Sequence, residues 1–264
     1  MIRLAGLCWW VAALPLLPLA LPMAVHTRRT ALRLSPAAGP ESGLAGGGLE
    51  GAPLRLLLIG ESTVAGVGAS CLDFALPGQL AAALASRLGR PVAWRACGEN
   101  GITAGEARER LLPQVAEEPV DLVLLVFGVN DTTHFSSSRR WQASQQALAR
   151  HFVERGAQVV FVGVPPLQHF SALPWLLRHL LGWRARLLDR QLRALAVREG
   201  LACCATRLEM RPDYLALDGY HPSSLGYRVW GEALADWMVG RVGEGGEIPG
   251  HPWRLAQVDA RPLA

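Results

Sequence analysis

From Leu54 to Gly240 the chain alternates short, nearly unbroken apolar runs with stretches whose apolar residues recur every three or four positions. That alternation restricts the possible folds more than any other feature. The runs Leu54–Ile59 (LRLLLI), Val92–Ala96, Leu122–Phe127 (LVLLVF) and Val159–Val164 (VVFVGV) read as strands, with a weaker one over Leu201–Thr206. Runs that are apolar on both faces suit a parallel sheet covered on each side. Between them, Phe74–Leu88, Ala104–Leu112, Trp141–Arg155, Trp175–Glu199 and Ser224–Val239 carry the helical spacing. The order predicts a doubly wound α/β sandwich. In such a sheet ligands sit beyond the carboxyl ends of the strands, so the polar residues that directly follow the strands are the candidate site residues.

Composition narrows the chemistry. With 264 residues, half of them hydrophobic and 18% charged, the chain is long enough for one sizeable domain with extensions. All 26 basic residues are arginine. Without lysine there is no Walker-type phosphate loop, no Ser-Lys dyad and no Schiff-base lysine. A formal charge of +4, with no basic block interleaved with aromatics, gives a nucleic-acid role no support. The five cysteines show no C-x-x-C spacing. They suit a reducing compartment rather than a disulfide framework, and no metal site is read from them.

Outside the alternating region the chain changes character. Leu4 to Val25 is apolar and uncharged, near the length that crosses a bilayer, though Pro15, Pro18 and Pro22 interrupt it. Arg28, Arg29 and Arg33 follow the run, whereas only Arg3 precedes it. We read residues 1–34 as a single-pass membrane anchor with a basic flank, leaving the domain on the cytoplasmic side. The alternative is a signal peptide and export. Residues 35–53, rich in Gly, Pro and Ala, read as a flexible linker. Residues 54–240 form the globular domain, and 241–264 a C-terminal extension without period.

Four loop segments carry candidate chemistry. After the first strand stands Gly60-Glu61-Ser62, a serine at a strand-to-helix turn. It fits either an exposed hydroxyl or a helix cap. The G-x-S-x-G elbow fails because position 64 is valine. After the second strand comes Gly98, a residue that allows close approach of a backbone N–H, or simply a tight turn. After the third comes Gly128-Val129-Asn130-Asp131, whose Asn130 amide could donate to a developing oxyanion or form an Asx turn. Before the last helix lies Asp218-Gly219-Tyr220-His221-Pro222, a carboxylate three residues from an imidazole it could orient. Asp131 and His134 repeat that spacing, so His134 is a competitor or a cleft residue.

Taken in order, these four segments resemble the sequence blocks of the SGNH (GDSL) hydrolases, from Leu54 to about Met238. Gly60-Glu61-Ser62 stands where that family has G-D-S, Gly98 where it has an oxyanion glycine, Gly128–Asp131 for G-x-N-D, and Asp218–Pro222 for D-x-x-H-P. The resemblance implies a flavodoxin-like three-layer α/β/α sandwich with a central parallel sheet of about five strands. It implies Ser62, His221 and Asp218 as a catalytic triad, with the Ser62 amide, Gly98 and Asn130 as the oxyanion hole. It implies no cofactor and no metal. Glu61 departs from the family's aspartate by one methylene, which bears on loop geometry.

The activity expected from this resemblance is carboxylic ester hydrolysis on a small-molecule or lipid-like ester. A carbohydrate O-acetyl esterase, an acyltransferase and an inactive membrane-tethered binding module are the alternatives. Between Pro165 and Trp183, the residues Phe170, Leu173, Trp175, Leu176 and Leu177 read either as an apolar wall for an acyl chain or as core.

Overall fold

Backbone pairing gathers the apolar runs into one six-stranded sheet. The structure, a computed structural model, describes residues 2–205 and 211–243, so Thr206 and the C-terminal extension beyond Gly243 lie outside the described residues. Helix α1 (Ile2–Ala13) continues through a 3-10 turn at Leu14–Leu16 into α2 (Leu17–Thr30). Strands β1 (Ser42–Ala45) and β2 (Leu54–Gly60) follow, then α3 (Leu76–Leu88) and β3 (Val92–Gly98). Next come α4 (Ala104–Arg110), α5 (Leu112–Val115), β4 (Leu122–Val126), α6 (Val129–Thr133) and α7 (Ser138–Val153). The chain then forms β5 (Gln158–Val162), α8 (Trp175–Glu199), β6 (Ala202–Cys204) and α9 (Ser224–Gly243).

The strand order is β1-β3-β2-β4-β5-β6. Strands β3, β2, β4, β5 and β6 are parallel, the expected five, in the order that reverses direction between β2 and β4. Alternate side chains along each strand enter two separate cores. Leu56, Leu58, Leu124 and Val126 pack against α3 and α9. Leu57, Ile59, Val123, Leu125 and Phe161 pack under α4, α7 and α8, where Trp141 and Phe152 are fully buried. Both faces of the sheet are therefore dry, which is why the strands read as unbroken apolar runs.

One segment departs from expectation. Within the predicted linker, Ser42–Ala45 forms β1, antiparallel to β3 in register with Val92–Arg95. Its residues, Ser-Gly-Leu-Ala, have no apolar period to read; the pairing is carried by the backbone. At the amino end, Gly6–Thr30 is a continuous helical run whose most apolar 18-residue stretch has a mean hydropathy of 1.8, the one span among the described residues long and apolar enough to cross a membrane. Its length and composition fit a membrane anchor or a signal sequence.

Candidate active site

The point where strand order reverses brings the ends of β2 and β4 side by side, with Gly60 paired to Val126. A crevice opens there because the chain leaves these two strands toward opposite faces of the sheet. After Gly60 the chain folds into a tight turn, in which the Glu61 carbonyl accepts from the amides of Val64 and Ala65. Ser62 sits in that turn, 8% exposed, with its hydroxyl at the crevice. Beyond β4, Gly128 takes φ +131°, a backbone angle that L side chains rarely adopt. That turn starts α6 and directs Asn130 to the same crevice.

The third component arrives from before α9. His221 Nε2 lies 2.9 Å from Ser62 Oγ, and His221 Nδ1 lies 2.6 Å from Asp218 Oδ2. The other Asp218 oxygen accepts from the backbone amides of Tyr220 and His221 at 2.9 and 3.0 Å, which fixes the loop. Tyr227 on α9, fully buried, donates its hydroxyl to the Val67 carbonyl at 2.6 Å and so ties α9 to the serine turn. Burial works against the Asp218 carboxylate, but the bonds from His221 and Tyr220 outweigh it and hold the pKa below the ordinary value. A carboxylate kept ionised beside Nδ1 is what an imidazole needs to accept a serine proton through Nε2.

Beneath Asn130 lies Glu61, only 3% exposed. Its carboxyl accepts from the Val129 amide (3.1 Å), the Asn130 amide (3.0 Å) and the Asn130 side-chain Nδ2 (2.8 Å). Burial raises its pKa to about 7, against the pull of those three bonds and with help from nearby Asp131. The family resemblance gives position 61 a role in supporting the loop; the donors that Glu61 holds are visible only in the structure.

The crevice widens into a cavity of about 1050 Å³, counted to its open mouth. Val129, Pro165, Leu167, Phe170, Leu173 and Tyr220 supply much of its apolar lining, and no arginine among the described residues lines it. Phe170 and Leu173, two of the residues named as a candidate acyl wall, lie in this lining. Trp175 does not: it stands 66% exposed at the start of α8, its ring tilted against His179. His134 is also outside the cavity, its Nδ1 2.9 Å from the Asn130 carbonyl. Its spacing partner Asp131 is buried and accepts from the Ala104 amide at 2.9 Å, so the second Asp-x-x-His forms no pair. Gly98 ends β3 against the serine turn, where a Cβ would meet the Ala65 nitrogen at 2.5 Å. It does not line the cavity; from its loop Asn100 does, a residue sequence reading did not single out. No group of three or more His, Cys, Asp or Glu side chains among the described residues could hold a metal ion.

Comparison with curated proteins gives no match. Among solved structures, the chain is similar to a lipase/acylhydrolase from Enterococcus faecalis, at 21% identity and a TM-score of 0.53, over 71% of this chain and 96% of that one. It is also similar to the psychrotrophic esterase EstA from Pseudoalteromonas sp., at 15% identity and a TM-score of 0.56, over 69% and 94%. At these identities the likeness establishes a shared fold. The model of the GDSL-like lipase/acylhydrolase family matches residues 58–229, a stretch that holds the serine turn, the Asn130 helix and the Asp218–His221 loop. By that match over well more than half of its length, the chain belongs to the GDSL-like lipase/acylhydrolase family of hydrolases.

Proposed function

We propose that this protein hydrolyses carboxylic ester bonds by two-step acyl transfer. The observation that carries the reading is the unbroken chain from Ser62 Oγ through His221 to Asp218, opening into an apolar cavity. Ser62 attacks the ester carbonyl while His221 takes its proton, and Asp218 holds the imidazole in the required tautomer. The oxyanion is met by the Ser62 amide and the second Nδ2 hydrogen of Asn130, the first being held by Glu61. Gly98 serves this hole by letting the serine turn lie close over β3. His221 then protonates the leaving alcohol, and water, activated by the same imidazole, releases the acid and restores Ser62.

The apolar lining favours an acyl or lipid-like ester over a sugar acetate, whose hydroxyls would find few partners along Phe170, Leu173 and Leu167. Each methylene added to an aryl ester should lower KM by up to about fourfold, the equivalent of about 0.8 kcal/mol, until the wall is covered. A sharp preference for acetyl would count against this substrate class. Membrane attachment through the amino-terminal segment belongs to the same reading, with Arg28, Arg29 and Arg33 marking the cytoplasmic face. The deciding experiment is labelling by a fluorophosphonate: the probe should modify Ser62, and Ser62→Ala should lose both the label and on the order of 10³-fold or more of the esterase rate. An unlabelled but folded protein would favour an inactive binding module instead.

A further inference from the structure

The amino-terminal helix has two different faces. Trp9, Ala13, Leu16, Ala20, Met23 and Thr27, stepping by alternate fours and threes, are buried or half-buried, and half-buried Gly6, Ala12 and Leu17 lie along the edges of the row they form. Such steps mark one stripe of a helix. The stripe lies on α8, where Trp9 and Ala13 pack with Leu187, Leu180 and Trp183. The seam is specific as well as apolar. Trp9 Nε1 donates to the Leu180 carbonyl at 2.9 Å, and the Arg184 guanidinium lies 5.1 Å from the Trp9 ring. The opposite face is apolar too: Leu7, Val11, Leu14, Leu19, Leu21 and Val25 are each 47–64% exposed. A row of this kind is more than a water-facing helix of a monomer leaves uncovered.

Docking and spanning exclude one another. The docked stretch from Trp9 to Ala20 takes up ~17 Å of helix axis, over half of a hydrocarbon core of ~30 Å. The apolar residues on either side, Leu4–Cys8 and Leu21–Val25, add only ~8 Å each. A span would need the stripe peeled from α8, leaving the Trp9 N–H without its acceptor and Leu180, Trp183 and Leu187 open to water.

We propose that the helix is an in-plane membrane contact: its stripe stays on the catalytic domain while its leucine face enters one leaflet of a phospholipid bilayer. Exposed Arg28 and Arg29 in its last turn, with Arg33 just beyond, fit acidic headgroups at the edge of that leaflet. The contact reaches the segment beside the cavity: Trp10 on the same helix packs against Phe135, ring centroids 6.0 Å apart, two residues after Thr133 of the cavity lining. Resting on the ester-hydrolase reading, this places the mouth of the site where an acyl chain leaves the lipid.

Topology tests the proposal without depending on activity. In the full-length chain, with Cys8→Ser and Cys71→Ser removing the unburied thiols, single cysteines are placed by Ile2→Cys or, on α3, Ser86→Cys. A membrane-impermeant maleimide is applied to intact cells and to inverted membrane vesicles. The in-plane helix is expected to leave both positions labelled from the same side. Labelling from opposite sides, or a mature chain cleaved after the helix, overturns it. Purified protein should also float with vesicles of phosphatidylcholine and phosphatidylglycerol, and Leu7→Gln with Leu19→Gln should lower the bound fraction at least tenfold. Flotation unchanged in that double variant, or absent in the wild type, would equally overturn the proposal. Loss of esterase activity with same-side labelling retained would count against the hydrolase reading alone.

Discussion

Glu61 joins the two strand ends that frame Ser62. Three donors converge on its carboxylate, two backbone amides and the Asn130 side chain. Ionised, as it is above about pH 7, the group only accepts and suits this position, whereas an amide would turn its own N–H toward one of those donors at any pH. Glu61→Gln is therefore expected to lower kcat on an aryl ester by about 10²-fold, with a much smaller change in KM, since the loss falls on oxyanion stabilisation. The same residue makes a stability prediction. Unfolded, the carboxyl releases its proton near 4.5; folded, it holds the proton to about 7. Between those values the folded state binds more protons, so this group's contribution to stability falls as pH rises through that window. Melting temperatures at about pH 5 and pH 7 should differ by less in Glu61→Gln than in wild type. An equal difference in the two proteins would mean that another group titrates there.

Arg184 extends that bracing from one residue to a pair of elements. From α8 its Nε donates to the Thr132 carbonyl at 3.2 Å and its Nη2 to the Ser136 carbonyl at 2.6 Å, around the end of α6. Its face lies against both Trp9 and Phe135. The five-residue α6 that carries Asn130 is thus held by Glu61 at its start and by Arg184 at its end. Lysine cannot reproduce a planar fork between two rings and two carbonyls. Arg184→Lys is expected to lower the melting temperature and, when assayed well below it, to reduce kcat several-fold with KM little changed. A reduced melting temperature with full kcat would make Arg184 a packing residue only. Much of this element-level arrangement was legible beforehand. The five parallel strands announced themselves because burial on both faces demands unbroken apolar runs, and Ser62, Asn130, Asp218 and His221 could be placed at strand or loop ends. What stayed hidden has physical causes. Strand β1 pairs through its backbone with side chains too small to show a period. Arg184 sits inside an arginine-rich helix where nothing local marks the buried one. The docking stripe of the amino-terminal helix has no contrast, because the lipid-facing side is as apolar as the protein-facing side.

At the scale of the whole molecule, the arrangement couples location to rate. An enzyme whose amino-terminal helix rests in a leaflet shares a thin layer with an apolar ester instead of the bulk volume, and a raised effective concentration requires no new contact at the active site. Two substrates separate this effect from chemistry: a long-chain ester carried in phosphatidylcholine–phosphatidylglycerol vesicles, and a short-chain aryl ester dissolved in buffer. The variant Leu7→Gln/Leu19→Gln changes only exposed positions far in sequence from the cavity lining. It should turn over the dissolved ester at the wild-type rate and the vesicle-borne ester at least tenfold more slowly. Salt gives an independent handle. Arg28, Arg29 and Arg33 are solvent-facing or nearly so, and a contact between them and acidic headgroups is screened as ionic strength rises. Raising salt should therefore slow turnover of the vesicle-borne ester and leave the dissolved one unchanged, with no such sensitivity in vesicles of phosphatidylcholine alone. Equal losses on both substrates would move the effect of these leucines from the membrane to the fold.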